Sequence, residues 1–435
     1  MKARNLISVV LGAGVMLVFL LYLVYSAPPA TANPDIFYVR EGATGDCSSG
    51  DPCGSVQQAI NLAGDDDEVY VATGIYMENI TVTYGIAVQG GWDTNFTTQD
   101  PSANPTVIDG QGEHNVLVDG NTPSTEITLN SLILQNGRDG FHIEGGTVTV
   151  SECTVHNADK QGIEINGGTI LVTATRVLTA KHGIDIDGGI ARIVNSHFAH
   201  TREEGLFFNG GTVVTVTHSS VMDAGQQGVQ IDSGTIYFAH NRITNIISEA
   251  LFITGGDIQI IDTEVMTAPQ GIDIKAGTVR MDNVTVAHTT GEGVVVRASG
   301  SDPLADVTVR NSTIEHTGQQ GLRISAGTVR VINSTIRHGA EEGVAILYED
   351  GAAPPNVTIT GSAIEHITRQ GVEVETGRVE VSSSRIADTA QEGVLVKYES
   401  LASSPVVTVT QNELANIGEH GLQINTGQAW LLDNH

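Results

Sequence analysis

One glycine recurs through this chain at a nearly fixed interval. It stands at Gly140, Gly162, Gly183, Gly205, Gly228, Gly271, Gly293, Gly321, Gly343, Gly371, Gly393 and Gly421, and Ala250 takes its place once. The steps are 21 to 23 residues, apart from three of 28. Alternating aliphatics follow each glycine, as in Gly162-Ile163-Glu164-Ile165 and Gly321-Leu322-Arg323-Ile324. A second alternating run comes next, Thr328-Val329-Arg330-Val331, and then a third, Ser334-Thr335-Ile336-Arg337-His338. Alternation puts successive side chains on opposite faces of a strand. Three short strands separated by Gly and Asn turns make one rung of a parallel β-helix.

A lone rung exposes its aliphatics and its backbone, so the fold requires stacking. Thirteen regular rungs at about 4.8 Å give a solenoid of roughly 60 Å. Leucine-rich repeats need a Leu/Asn consensus that is absent, and no unit is long enough for a propeller blade. Gly271, Gly321, Gly371 and Gly421 are 50 residues apart, which points to duplication of a two-rung unit. The longer steps place insertions at Arg297 to Asp306, Leu347 to Asn356 and Lys397 to Pro405. Tyr348-Glu349 and Tyr398-Glu399 occupy matching places in this loop row. Loops on one edge of a rigid solenoid are a common place for ligands, so Tyr348, Glu349, Tyr398 and Glu399 are the expected ligand-binding residues.

The 435 residues carry a net charge of −29. This argues against nucleic acid or an anionic membrane surface as partner. It fits a soluble extracellular protein, with Ca²⁺ as the one cofactor that so acidic a chain suggests. Lys2 and Arg4 precede an apolar run from Leu6 to Tyr25, and Ala30-Thr31-Ala32 reads as a cleavage site. Residues 1–32 are therefore expected to be a signal peptide, with an uncleaved membrane anchor as the alternative. The expected location is secreted or at the cell surface. Cys47 and Cys53 share the loop CSSGDPC and can close a small disulfide in an oxidising compartment, while Cys153 is left as a buried thiol.

Residues 33–98 read as an N-terminal cap and first strands, and 99–435 as the β-helix. Ser55-Val56-Gln57-Gln58 is a capping box opening a short amphipathic helix to about Ala63, placed to cover the open end of the solenoid. At the other end the run Ala429-Trp430-Leu431-Leu432 has no polar cap after it. The expectation is a chain truncated at this point, or end-to-end self-association.

The order D-P-C-x-S-V-Q-Q-A-I-N-x-A, then G-D-D-D-E-V-Y-V-A-T-G-I-Y-M-E-N-I, then V-Q-G-G-W-D resembles the N-terminal end of secreted bacterial right-handed β-helix proteins of the pectin-lyase-like superfamily. The resemblance runs from Asp35 to the chain end. It implies an all-β, right-handed parallel solenoid. The superfamily includes pectate lyases, polygalacturonases, alginate epimerases, phage tailspikes and surface proteins without known activity. The resemblance therefore implies a polysaccharide partner but no particular reaction.

On the solvent side of the first strand, Glu144, Glu164, Asp185 and Asp187 fall on three neighbouring rungs. Carboxylates about 5 Å apart repel unless a cation or a shared proton intervenes. They are candidate Ca²⁺ ligands. Glu164, Asp185 and Asp187 are also candidate catalytic groups for glycosidic cleavage. The plain alternative is a solvated acidic face. The N-T-D and R-I-K motifs of polygalacturonases are absent, the D-D pairs lie only at Asp65 to Asp67, and the nearest base to Asp185 is Lys181. His288, His316, His338 and His366 share a turn column with Asn, Asp and Thr on other rungs, which reads as a polar turn ladder. No nucleophile elbow, phosphate loop or dinucleotide fingerprint occurs. The expected function is an adhesin-like scaffold that binds polysaccharide or surface glycan without catalysis. The alternative is a polysaccharide lyase, glycoside hydrolase or epimerase acting on an acidic polysaccharide at the first-strand face.

Overall fold

A computed structural model describes residues 34–120, 126–210, 213–298, 304–397, 399 and 402–435. The expected signal segment and Tyr398 lie outside the described residues. From Ile36 to His435 the chain winds through three parallel sheets of 15, 17 and 15 strands. The first sheet runs from Ile80–Val82 to Leu422–Ile424, and its regular rungs begin at Phe141–Ile143. The second runs from Ile36–Val39 to Gln428–Leu432, and the third from Gly74–Tyr76 to Glu413–Ile417. Like positions stack on like: Ile163 pairs with Ile184, and Val329 with Val357. The inward residues, such as Ile163, Ile165, Phe198 and Phe208, form one continuous buried core.

The recurring glycine is set by close approach, not by an unusual φ. A Cβ at Gly183 would lie 2.3 Å from the carbonyl oxygen of Gly205, and one at Gly321 only 2.4 Å from Ile336 Cγ2. The strand start on one rung is pressed against the next rung and against the third strand. A side chain there would pry both apart.

The polar column expected as a turn lies at the end of the third strand, with His288, His316 and His366 still within it, and adopts the left-handed conformation throughout, with φ of 52° to 58° at His288, His316, His338 and His366. Asn and Asp tolerate this region best; the histidines pay for it with stacked rings at 4.8 to 5.1 Å. A second ladder is buried at the turn into the third sheet. Ser312 N–H donates to Ser334 Oγ at 3.2 Å, and Ser334 N–H to Ser362 Oγ at 3.2 Å. These hydroxyls satisfy backbone donors at a turn where the regular ladders are interrupted.

The helix forms at Val56–Leu62 and buries Val56, Ala59 and Ile60. Its capping differs from the expected box. Ser55 Oγ accepts from Gln58 N–H at 3.1 Å, but the Gln58 side chain turns away to Gly45. The Glu78 carboxylate instead accepts Val56 N–H at 2.7 Å and Gln57 N–H at 3.2 Å. An acid at a helix N-terminus meets unsatisfied donors and the positive end of the dipole. A disulfide joins Cys47 to Cys53, and Cys153 is buried as a free thiol. The last strand leaves Trp430, Leu431 and Leu432 exposed.

Candidate functional site

The outward side of the first sheet carries the sequence-predicted acidic residues. Its ladder reads His142, Glu164, Asp185, Phe207, Gln230, Phe252, Asp273 from rung to rung, each paired with the next. The fold therefore places Glu164 beside Asp185, as the spacing predicts. Glu144 and Asp187 lie two residues farther along their strands.

The four carboxylates do not converge on one point. Glu144 Oε1 meets His142 Nε2 at 2.6 Å and accepts Asn166 Nδ2 at 3.2 Å. The Glu164 carboxylate meets the other nitrogen of His142. Asp187 Oδ1 accepts Asn209 Nδ2 at 2.8 Å. Their partners are one imidazole and two amides. Burial works against charge on His142, but hydrogen bonding to Glu144 and the charge of Glu164 outweigh it and hold its pKa above the ordinary histidine value.

A second column was missed by sequence reasoning, although its signal is there to read. The residue just before the glycine alternates between amide and acid: Gln227 and Glu249, Gln320 and Glu342, Gln370 and Glu392. The glutamine Nε2 donates to the acid of the next rung at 2.9, 2.8 and 3.0 Å in these three pairs. This ladder flanks the outward face, and the two-rung repeat carries its alternation.

Asp185, in the first column, is only 9% exposed. Its Oδ2 accepts Gln161 Nε2 at 3.3 Å. Its Oδ1 and Gln161 Oε1 are both buried without a partner. Burial, reinforced by Asp187 and Glu164, pushes the Asp185 carboxyl up to about 6, against the pull of Gln161 and His182. Phe207 follows on the next rung, its ring 6.0 Å from that of His182.

Among the described residues, three histidine-containing groups bring three ligand atoms together: His114, Asp139 and His142; His182, Glu203 and Glu204; and, on the last rungs, Glu392, Glu419 and His420. The first two already have an internal cation. Arg138 Nε lies 2.9 Å from Asp139, and Lys181 Nζ 3.1 Å from Glu203. A metal would have to compete with these charges.

The later rungs are neutralised more fully. Arg297 Nε donates to the buried Asp273 at 3.0 Å, and Lys397 Nζ bridges Glu373 at 2.7 Å and Glu375 at 3.0 Å. The loop row folds down beside this part of the face. Tyr348 N–H donates to Glu375 Oε2 at 2.8 Å, its hydroxyl donates to Asp350 at 3.1 Å, and the Glu349 carboxylate accepts from Ser325. Tyr348 and Glu349 are thus tied to their own neighbours, and Glu399 is half-buried.

A search of curated proteins finds no match. Among solved structures, the chain is similar to the A-module of an Azotobacter vinelandii mannuronan C-5 epimerase, at 14% identity and a TM-score of 0.41, covering 91% of this chain and 99% of that one. It is similar to the tailspike of E. coli bacteriophage HK620 in complex with a pentasaccharide, at 9% identity and a TM-score of 0.46, covering 94% and 81%. It is also similar to the catalytic unit of a GH87 alpha-1,3-glucanase from Streptomyces thermodiastaticus, at 14% identity and a TM-score of 0.35, covering 94% and 70%. Likenesses this weak say nothing about what this chain binds. The profile of the right-handed β-helix region matches residues 84–245 and 270–435, well over half of the sequence, and the chain belongs to that family.

Proposed function

We propose that this chain is a β-helix scaffold that binds a polysaccharide or surface glycan along the outward face of its first sheet, on the rungs of Asp185, Phe207 and Phe252. One observation carries the reading: two buried acceptor oxygens, Asp185 Oδ1 and Gln161 Oε1, lack donors beside an outward-facing aromatic ring. A buried acceptor without a partner costs about 1–3 kcal/mol, which a ligand hydroxyl can recover. Phe207 offers a flat apolar platform to the C–H face of a sugar ring, and Phe252, two rungs and about 9.6 Å away, carries the Lys275 ammonium 4.4 Å from its ring centroid. The excess of carboxylates favours a neutral glycan over the acidic one of the alternative reading. The basic and apolar N-terminal segment supports a secreted or cell-surface location.

The test is a panel of neutral and acidic polysaccharides against the purified chain, with and without Ca²⁺, reading binding and new reducing or unsaturated ends together. Binding of a neutral glycan, lost in Phe207→Ala, supports the proposal. Failure of every glycan in the panel sinks it.

A second reading rests on the raised pKa of Asp185. A carboxyl that still holds its proton below about pH 6 can protonate a glycosidic oxygen there, with the Glu164 carboxylate on the adjacent rung as the second group. New reducing ends that vanish in Asp185→Asn, with binding retained, would establish hydrolysis. Asn removes the transferable proton and sets an amide nitrogen in place of one carboxylate oxygen, while the other oxygen can still accept from Gln161.

A further inference from the structure

Far along the same face, eight rungs and roughly 38 Å from Asp185, lies a groove of 490 Å³. Its floor holds Glu373 and Glu375, the amide–acid ladder walls it on one side with Gln320, Glu342 and Gln370, and Leu347 of the loop row stands on the other. Gln370 is only 8% exposed, and its Oε1 has no partner. The orientation of that amide is fixed by its neighbour: Nε2 donates to Glu392 at 3.0 Å, and a flipped amide would set two acceptors against each other. The groove therefore presents a buried acceptor that wants a donor.

Charge says which donor. Around Gln370 stand Glu341, Glu342, Glu373, Glu375 and Glu392, against Arg369 and Lys397. The balance is negative even after both internal cations are counted. The place Lys397 occupies also shows the kind of cation that fits: an ammonium with N–H donors spread between two carboxylates. We infer that this groove is a subsite for a protonated primary amine, that of an amino sugar unit, donating to Gln370 Oε1 among the surrounding carboxylates. The sugar in this statement rests on the glycan-binding reading above; the amine does not.

Calorimetry on the full chain would compare glucosamine tetramer, its N-acetylated form and a cellulose-derived tetramer. The free amine should bind, acetylation should weaken binding by about tenfold or more, and affinity should fall with added salt. Gln370→Met, checked for an unchanged melting temperature, should weaken the free-amine tetramer about tenfold. Lys397→Met should move it the other way, because the ligand ammonium then replaces the lost internal cation. Equal binding of amine and acetamide, or an unchanged affinity in Gln370→Met, overturns the inference. So does Ca²⁺ alone binding at a site that Gln370→Met removes. If glucosamine tetramer loses affinity only in Phe207→Ala, the early rungs hold it and the late groove is not its site. If it binds at Gln370 while no glycan depends on Phe207, the amine subsite stands and the earlier reading falls.

Discussion

Gln161 Nε2 donates to Asp185 Oδ2 at 3.3 Å across one rung, and the amide oxygen of Gln161 and the second oxygen of Asp185 are both buried and unmatched. The pair lies on the outward side of a sheet whose inner side is fully apolar. Folding has thus held polar groups out of water without pairing them.

The raised pKa of Asp185 has a stability consequence with a definite sign. Over the range from its ordinary value of 3.8 to about 6, the folded chain holds a proton that the unfolded chain has released. Its contribution to stability is present below that range and is lost as pH rises through it. Asp185→Asn should therefore melt higher than the parent at neutral pH, by about 1–2 kcal/mol after allowing for solvent screening, and no differently at about pH 4. A denaturant titration at both pH values checks this.

His142 should behave as the complementary case. Its folded pKa is raised, so the contribution of its bridge between Glu144 and Glu164 is complete below the ordinary histidine pKa and fades as pH climbs through the folded value. His142→Gln should be most costly at about pH 6, by about 1–2 kcal/mol, and nearly neutral at about pH 9. A variant equally destabilised at both would mean that packing, not charge, is what His142 supplies.

Removing the aromatic platforms should affect ligand and not fold. Phe207 and Phe252 face outward and are half-buried, so alanine at either leaves the core intact. Glycan affinity should drop about tenfold for Phe207→Ala and less for Phe252→Ala, whose ring already carries Lys275, with the melting temperature within a degree or two. Isothermal titration alongside differential scanning fluorimetry separates the two effects.

The glycine register can be probed directly. Gly183→Ala forces a methyl to within 2.3 Å of the Gly205 carbonyl, and relief requires the rungs to part. A loss of about 1–3 kcal/mol is expected in urea unfolding. The same change at Gly50, where a Cβ meets nothing within 4 Å, should cost far less.

The glycine interval and the three alternating runs were sufficient to specify the solenoid, because a period-two pattern repeated in register admits one way to bury its aliphatic face. Ile163, Val329 and Ile336 could be assigned to the core from spacing alone, and the thirteen regular rungs match the strands from Phe141–Ile143 to Leu422–Ile424. The sequence also placed Glu164 and Asp185 on neighbouring rungs, since each residue of a rung stacks on its counterpart. Its account of the helix cap held at Ser55 but not at Gln58, because Glu78, from the link between two later strands, supplies the group that a local motif was expected to complete. Which outward groups are paired was decided only by the tertiary structure. Whether a carboxylate finds a His142, an Asn209 or a Lys397 depends on side-chain reach between rungs, and on how deeply the flanking amide–acid ladder buries it. That is why Asp185 and Glu373 share a column but differ in environment, one with an unmatched oxygen and the other bound to an internal ammonium.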